Sequence, residues 1–153
     1  MTNVLFICMG NICRSPTAHG VFEHKVAEQG LSDQINVDSA GTHAYHIGEA
    51  PDPRSQAMAR SRGYDLSAQR ARQVETSDFT AFDYLIAMDR ANYDNLLKIA
   101  PEDQKHKVHL CLSFAKNRPE TEVPDPYYND GFDDVLEMIE DASDGLLDHI
   151  KNN

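Results

Sequence analysis

The chain holds 153 residues, 41% of them hydrophobic and 25% charged, with a formal net charge of −11. Length and composition predict one globular domain over residues 1–153 with a real core. The acidic excess argues against a nucleic-acid partner or an anionic membrane, which call for basic surfaces, but it permits an anionic substrate in a local pocket of opposite sign.

From the N-terminus, Val4 to Ile7 is continuously apolar, the pattern of a strand buried on both faces of a parallel sheet. A tight loop follows, Cys8-Met9-Gly10-Asn11-Ile12-Cys13-Arg14. Ser15 is placed to cap the next helix, and Pro16 fits its first turn. Ala18, Val21, Phe22 and Val26 fall at helical spacing, and Gly30 stops that helix. Ile35 and Val37 alternate into a short strand ending near Ser39. Residues 41–53 carry glycine, histidine and two prolines, a loop composition. Asp52-Pro53 opens a second helix that runs to about Arg62, with Gly63 after it.

Tyr84 to Met88 reads as another buried strand, with Asp89 as the cap of the helix behind it. Leu96, Leu97 and Ala100 support that helix up to Pro101. Val108, Leu110 and Leu112 suggest the next strand, on which Cys111 stands alone. Residues 116–131 are polar, proline-bearing and long for a structureless connection, a length that often marks a functional loop. Phe132, Val135, Leu136, Ile139, Leu146, Leu147 and Ile150 form the clearest amphipathic helix in the chain. Strands alternate with helices throughout, which predicts a doubly wound α/β domain. Ligands in such folds sit at the carboxyl ends of the strands, where Cys8, Ser39 and Asp89 all fall.

The loop from Cys8 to Ser15 suits an anion. In a strand-to-helix turn, successive backbone N–H groups make a nest, and the helix N-terminus adds partial positive charge. Gly10 permits close backbone approach to a ligand, and Asn11 tolerates a left-handed turn. Such a field favours a Cys8 thiolate, and Arg14 can grip two phosphoryl oxygens at once. Ser15 can hydrogen-bond the sulfur and help it leave. There is no Gly-Lys-Ser/Thr of a nucleotide loop and no second glycine of a dinucleotide fingerprint. As a zinc pair Cys8 and Cys13 are poor, because only Cys111 remains as a further thiol. No metal and no cofactor is expected. Three cysteines without framework spacing favour a reducing compartment, and no signal-like or bilayer-length apolar run is present. A cytoplasmic protein is expected.

Displacement of an alkoxide or phenoxide from phosphorus calls for a proton donor. Asp125 stands out, in Val123-Pro124-Asp125-Pro126-Tyr127-Tyr128, where two prolines stiffen the chain around one carboxylate and two aromatic rings could clasp an aryl group.

Cys8-x-Gly-Asn-Ile-Cys-Arg-Ser-Pro together with Asp125-Pro-Tyr-Tyr resembles the low-molecular-weight protein tyrosine phosphatases. Asp38-Ser39-Ala40-Gly41, Pro51-Asp52-Pro53-Arg54, Ala71-Arg72-Gln73, Phe82-Asp83-Tyr84 and Met88-Asp89 extend the similarity over essentially the whole chain. The resemblance implies a four-stranded parallel sheet flanked by helices, and metal-independent hydrolysis of phosphotyrosine proteins to inorganic phosphate through a phosphocysteine. By it, Cys8 is the nucleophile, Arg14 the phosphate clamp, and Asp125 first acid, then base. Met9, Gly10, Asn11, Ile12, Cys13 and Ser15 surround the phosphate. Tyr45 and Tyr127 line a phenyl slot with Met9 and Ile12 at its rim. Asn11 and Ser39 brace the loop from behind, with Asp89 also near it.

Cys13 is implied to capture oxidised Cys8 as a reversible disulfide. Tyr127 and Tyr128 are implied as phosphorylation sites, and the assembly as a monomer or weak homodimer. Many members carry a histidine where this chain has Gln69, which bears on loop rigidity. Arsenate reduction on the same fold needs further thiols that the solitary Cys111 does not supply. Relatives acting on phosphoarginine have threonine where this loop has Ile12, which better suits a phenyl ring. A phosphopeptide-binding module would lack the nucleophile or the acid, and both residues are present.

Overall fold

Val4, Leu5, Phe6 and Ile7 are each at most 1% exposed, because the strand that holds them is covered on both faces. That strand, β1 (Thr2–Cys8), pairs in parallel with β2 (Ile35–Gly41) on one side and β3 (Tyr84–Ala87) on the other. With β4 (Val108–Leu110) beyond β3, the sheet has four parallel strands in the order β2-β1-β3-β4. The computed structural model describes the backbone of residues 1–153 and all side chains except those of Tyr128 and Asn129.

Side-chain alternation along β1 divides the core. Val4, Phe6 and Cys8 face α1 (Arg14–Glu28), α2 (Pro53–Ser61) and α6 (Phe132–Lys151), where Phe22, Leu136 and Ile139 are buried. Leu5 and Ile7 face Phe79 of α3 (Asp78–Ala81) and Leu96 of α4 (Arg90–Ile99). Helices therefore cover both faces, as the alternating pattern predicts. The helices following β1 and β3 leave on opposite faces, so a crevice opens between the carboxyl ends of these two neighbouring strands.

Several local expectations are corrected. Helix α1 begins at Arg14, and its cap position falls on Cys13 without a side-chain cap. Ser15 lies inside the first turn and turns its hydroxyl to Cys8 instead. Ser39 is not at a strand end, since β2 continues to Gly41. Strand β4 stops at Leu110; Cys111 and Leu112 enter a 3₁₀ turn, Cys111–Phe114, that buries both beneath α6. Residues 116–131 are not wholly irregular: Pro126–Asn129 form a short helix, α5. Asp89 does cap α4, in a reciprocal box with Asn92. Among the described residues no helix is long and apolar enough to cross a membrane.

Candidate active site

The carboxyl end of β1 delivers Cys8 into a loop whose tightest point is Asn11, at φ 58°. A left-handed turn there folds the chain back so that the Asn11 N–H donates to Cys8 Sγ at 3.3 Å. Asn11 Nδ2 donates to Ser15 Oγ at 2.7 Å, and the Ser15 hydroxyl lies 3.1 Å from the sulfur. Because Ser15 accepts from Asn11, its own proton is left for Cys8 or for the Ala40 carbonyl at 3.4 Å. The Asn11 amide is oriented in turn by the Arg72 N–H, which reaches its Oδ1 at 3.0 Å. Negative charge on the sulfur thus meets donors that are already in place.

Gly41 presses on this loop from β2. A Cβ on Gly41 would lie 2.8 Å from the Met9 carbonyl oxygen and 3.2 Å from the Asn11 nitrogen. Both are backbone atoms, so the close approach requires glycine at this position.

Arg14 is 2% exposed and spans the crevice. Its Nη1 donates to Asp89 at 2.6 Å and to the Val123 carbonyl at 2.9 Å, and its Nη2 lies 3.5 Å from Asp125. Val123 is held to the sheet by its own N–H, which donates to the Met88 carbonyl at 2.8 Å. The arm bearing Asp125 is therefore fastened to the end of β3 and to the arginine together. Asp125 Oδ1 accepts from the Tyr127 N–H at 3.0 Å and caps α5. Burial opposes the Arg14 charge, yet Cys8, Asp89 and Asp125 together hold its pKa above the usual guanidinium value. Burial pushes the Cys13 thiol up to about 12, with Asp52 and Cys8 adding to the shift.

A cleft opens above the sulfur, lined by Cys8, Met9, Ile12, Tyr45, His46 and Tyr127, with Arg14 and Asp125 at its floor and rim. Tyr45 and Tyr127 are 65% and 42% exposed, and both rings stand at the mouth of the cleft. Tyr45 stacks on His43, with centroids 5.0 Å apart and planes inclined by 14°.

All the residues read from the sequence except Ser39 lie in this region. The Ser39 hydroxyl contacts His19 Nδ1 at 3.2 Å and Gln69 at 3.4 Å, and Gln69 donates to the Pro16 carbonyl at 3.0 Å. Ser39 thus supports the start of α1, and Gln69 keeps a hydrogen bond to that helix. His46 in the cleft wall was not foreseen from the sequence; nothing in the composition of 41–53 separates it from a surface histidine. Val123 and Gly41 act through backbone atoms, which leave no side-chain signal. Among the described residues no group of histidine, cysteine, aspartate or glutamate is placed to hold a metal ion.

The arrangement offers a buried sulfur with donors, a cation to hold an oxyanion beside it, and a carboxyl group across a cleft with aromatic walls. Comparison with known proteins points the same way. The family described as low molecular weight phosphotyrosine protein phosphatase matches residues 3–153. A low molecular weight protein-tyrosine-phosphatase of Streptomyces coelicolor is 44% identical over 149 residues, covering 94% of this chain and 90% of its own. A crystal structure of a protein tyrosine phosphatase from Entamoeba histolytica superposes with a TM-score of 0.97 at 40% identity, covering 99% of this chain and 98% of that one. A Drosophila arginine phosphatase shares the fold at 30% identity and a TM-score of 0.90, covering 99% and 98%.

Proposed function

The chain belongs to the low molecular weight phosphotyrosine protein phosphatase family and is a phosphoric monoester hydrolase, and on that premise we propose that it hydrolyses phosphotyrosine in proteins through a phosphocysteine on Cys8. Residues 1–153 act as one phosphatase domain, without metal or cofactor. In the first step the Cys8 thiolate attacks phosphorus, the S–P bond forms and the P–O bond to the tyrosine ring breaks. Asp125 gives its proton to the departing phenoxide oxygen. In the second step water attacks phosphorus, Asp125 takes a proton from it, and the S–P bond breaks. Inorganic phosphate leaves, and the thiolate returns to the donors Ser15 and Asn11.

Phosphoryl transfer of this kind is mostly positioning and charge stabilisation, which Arg14 and the loop from Met9 to Cys13 supply at the phosphoryl oxygens. The observation that carries this reading is the convergence of Cys8, Arg14 and Asp125 on one cleft, with Arg14 Nη2 only 3.5 Å from the carboxylate. Ile12, Met9, Tyr45 and Tyr127 give that cleft apolar walls, which favours an aryl phosphate over phosphoarginine. Asn11, Asp89 and Ser39 hold the machinery in place. Cys13 serves as the partner that captures oxidised Cys8 in a reversible disulfide. Tyr127, exposed at the mouth, is open to phosphorylation; the Tyr128 side chain lies outside the described residues. The protein works in the cytoplasm as a monomer or weak homodimer, with no membrane or nucleic-acid partner.

The test is turnover of phosphotyrosine, phosphoarginine and phosphoserine peptides side by side, with an arsenate-reduction control, for wild type and Cys8→Ser. Phosphotyrosine is turned over fastest, and Cys8→Ser loses more than about 10³-fold while still binding phosphate. Residual full turnover by Cys8→Ser would sink the covalent mechanism, and a preference for phosphoarginine would sink the substrate assignment.

A further inference from the structure

Asp52 and Arg54 open helix α2, and the chemistry above gives them no part. The Asp52 N–H donates to the Ile12 carbonyl at 2.8 Å, which fastens the start of α2 to the loop that carries Cys8. The Asp52 carboxylate, 8% exposed, accepts from the Arg54 backbone N–H at 2.8 Å, from Nε at 3.1 Å and from Nη2 at 3.0 Å. A two-pronged carboxylate fixes the plane of the guanidinium.

The remaining sides of that plane meet the arm carrying Asp125. Nη2 donates to the Tyr127 carbonyl at 3.4 Å, and Nη1 lies 3.9 Å from the Asp130 carboxylate. The guanidinium carbon sits 5.5 Å from the Tyr127 ring centroid and 4.8 Å from that of Phe132, distances at which a cation is attracted to the ring face. Asp125 caps the same four-residue helix through the Tyr127 N–H. Asp130, just after it, stands at φ 59°, a backbone state that a side-chain-bearing residue holds only when its surroundings impose it.

We propose that Arg54 is a positioning residue for the acid, a strap that ties α5 and Asp125 to the Cys8 loop through Asp52. The inference rests on Asp125 being the proton donor. Lysine cannot replace it, because one ammonium cannot span a carboxylate, a carbonyl and two ring faces.

The experiment measures kcat/KM on phenyl phosphate and 4-nitrophenyl phosphate for wild type, Arg54→Ala, Arg54→Lys, Asp125→Ala and the double variant Arg54→Ala/Asp125→Ala. Phenoxide needs the acid and nitrophenoxide hardly does. Arg54→Ala and Arg54→Lys each lose about tenfold more on phenyl phosphate than on the nitrophenyl ester. On the Asp125→Ala background, Arg54→Ala adds no further leaving-group-dependent loss. Equal losses on both esters, or losses that multiply in the double variant, overturn the proposal. Failure of the acid reading shows separately, as an Asp125→Ala variant with no leaving-group preference. Backbone hydrogen exchange then decides the strap by itself. Faster exchange at 126–131 in Arg54→Lys, with β1 unchanged, supports it, and unchanged exchange there overturns it.

Discussion

Arg14 and Asp125 meet at 3.5 Å across the cleft, while the other nitrogen of the same guanidinium is held by Asp89 and Val123. The arginine therefore has one side committed to the scaffold and one side turned to the Asp125 carboxylate. In the proposed mechanism a bound phosphoryl group competes for that second side. Asp125→Ala removes the proposed proton donor and the cap it places on α5, while the Arg14 contacts to Asp89 and Val123 remain. The expected loss is about 10²- to 10⁴-fold in kcat/KM on phenyl phosphate and much less on 4-nitrophenyl phosphate. A parallel loss on both would remove the acid role.

Thiol chemistry separates Cys8 from its neighbours. Burial pushes Cys13 and Cys111 up to about 12, so both stay protonated at neutral pH, and a protonated buried thiol is a poor nucleophile. Iodoacetamide at pH 7.5 is expected to add once, at Cys8, and inorganic phosphate to protect against it. Mass spectrometry showing Cys13 alkylated at a similar rate would contradict this. By the same logic the capture of oxidised Cys8 proposed for Cys13 is slow at neutral pH. The fraction of activity that an added thiol restores after peroxide should therefore rise with the pH of oxidation, and Cys13→Ser should recover less.

Gly41 supports the loop by closeness alone. Gly41→Ala drives a Cβ against the Met9 carbonyl and the Asn11 nitrogen, and neither backbone group can swing aside. Overpacking of this kind costs about 1–3 kcal/mol. The displaced loop should lower kcat/KM by about 10- to 100-fold. Full activity in a folded Gly41→Ala variant would show that the loop tolerates the shift.

On the edge strand β4, His109 sits against the rings of Tyr84 and Phe114. Burial, with His149 and His106 nearby, holds its pKa below the ordinary 6.5. A lowered pKa in the folded state means that folding favours the neutral ring. The associated stability is complete above pH 6.5 and is lost as pH falls through the folded-state value. Thermal melts should show a falling Tm between pH 7 and pH 5, and His109→Gln should flatten that fall. An unchanged slope in the variant would assign the pH dependence to other groups.

Where the sequence was legible, a side chain carried the signal. Val4 to Ile7 mark a strand with two covered faces, and Cys8, Arg14 and Asp125, singled out by residue type and setting, meet at one cleft. The α6 stripe from Phe132 to Ile150 was visible because it is long and periodic. Ser15 was misplaced because a serine before a proline favours a cap, and nothing local says that its hydroxyl is claimed by Cys8 and Asn11. Cys111 was placed on a strand because Val108, Leu110 and Leu112 alternate; the turn beneath α6 overrides that alternation. Ser39 falls one step behind the loop because β2 runs two residues further than its apolar pattern. His46 entered the cleft wall from a segment with no periodicity to read. Val123 and Gly41 contribute a carbonyl and the lack of a side chain, which no residue-type argument could single out.

Val123 lies 109 residues beyond Arg14 in the chain, yet its carbonyl is one of the groups that hold the arginine in place. During synthesis the N-terminal half emerges with its thiol and arginine long before that partner exists. A nascent chain ending before Val123 has Cys8 but neither the docked arm nor Asp125, so the proposed reaction centre is incomplete. Closing a loop this long costs entropy before the contact repays it, which slows its formation in refolding. Activity should therefore return last, after the helical signal, so that catalysis itself reports the final closure of the chain.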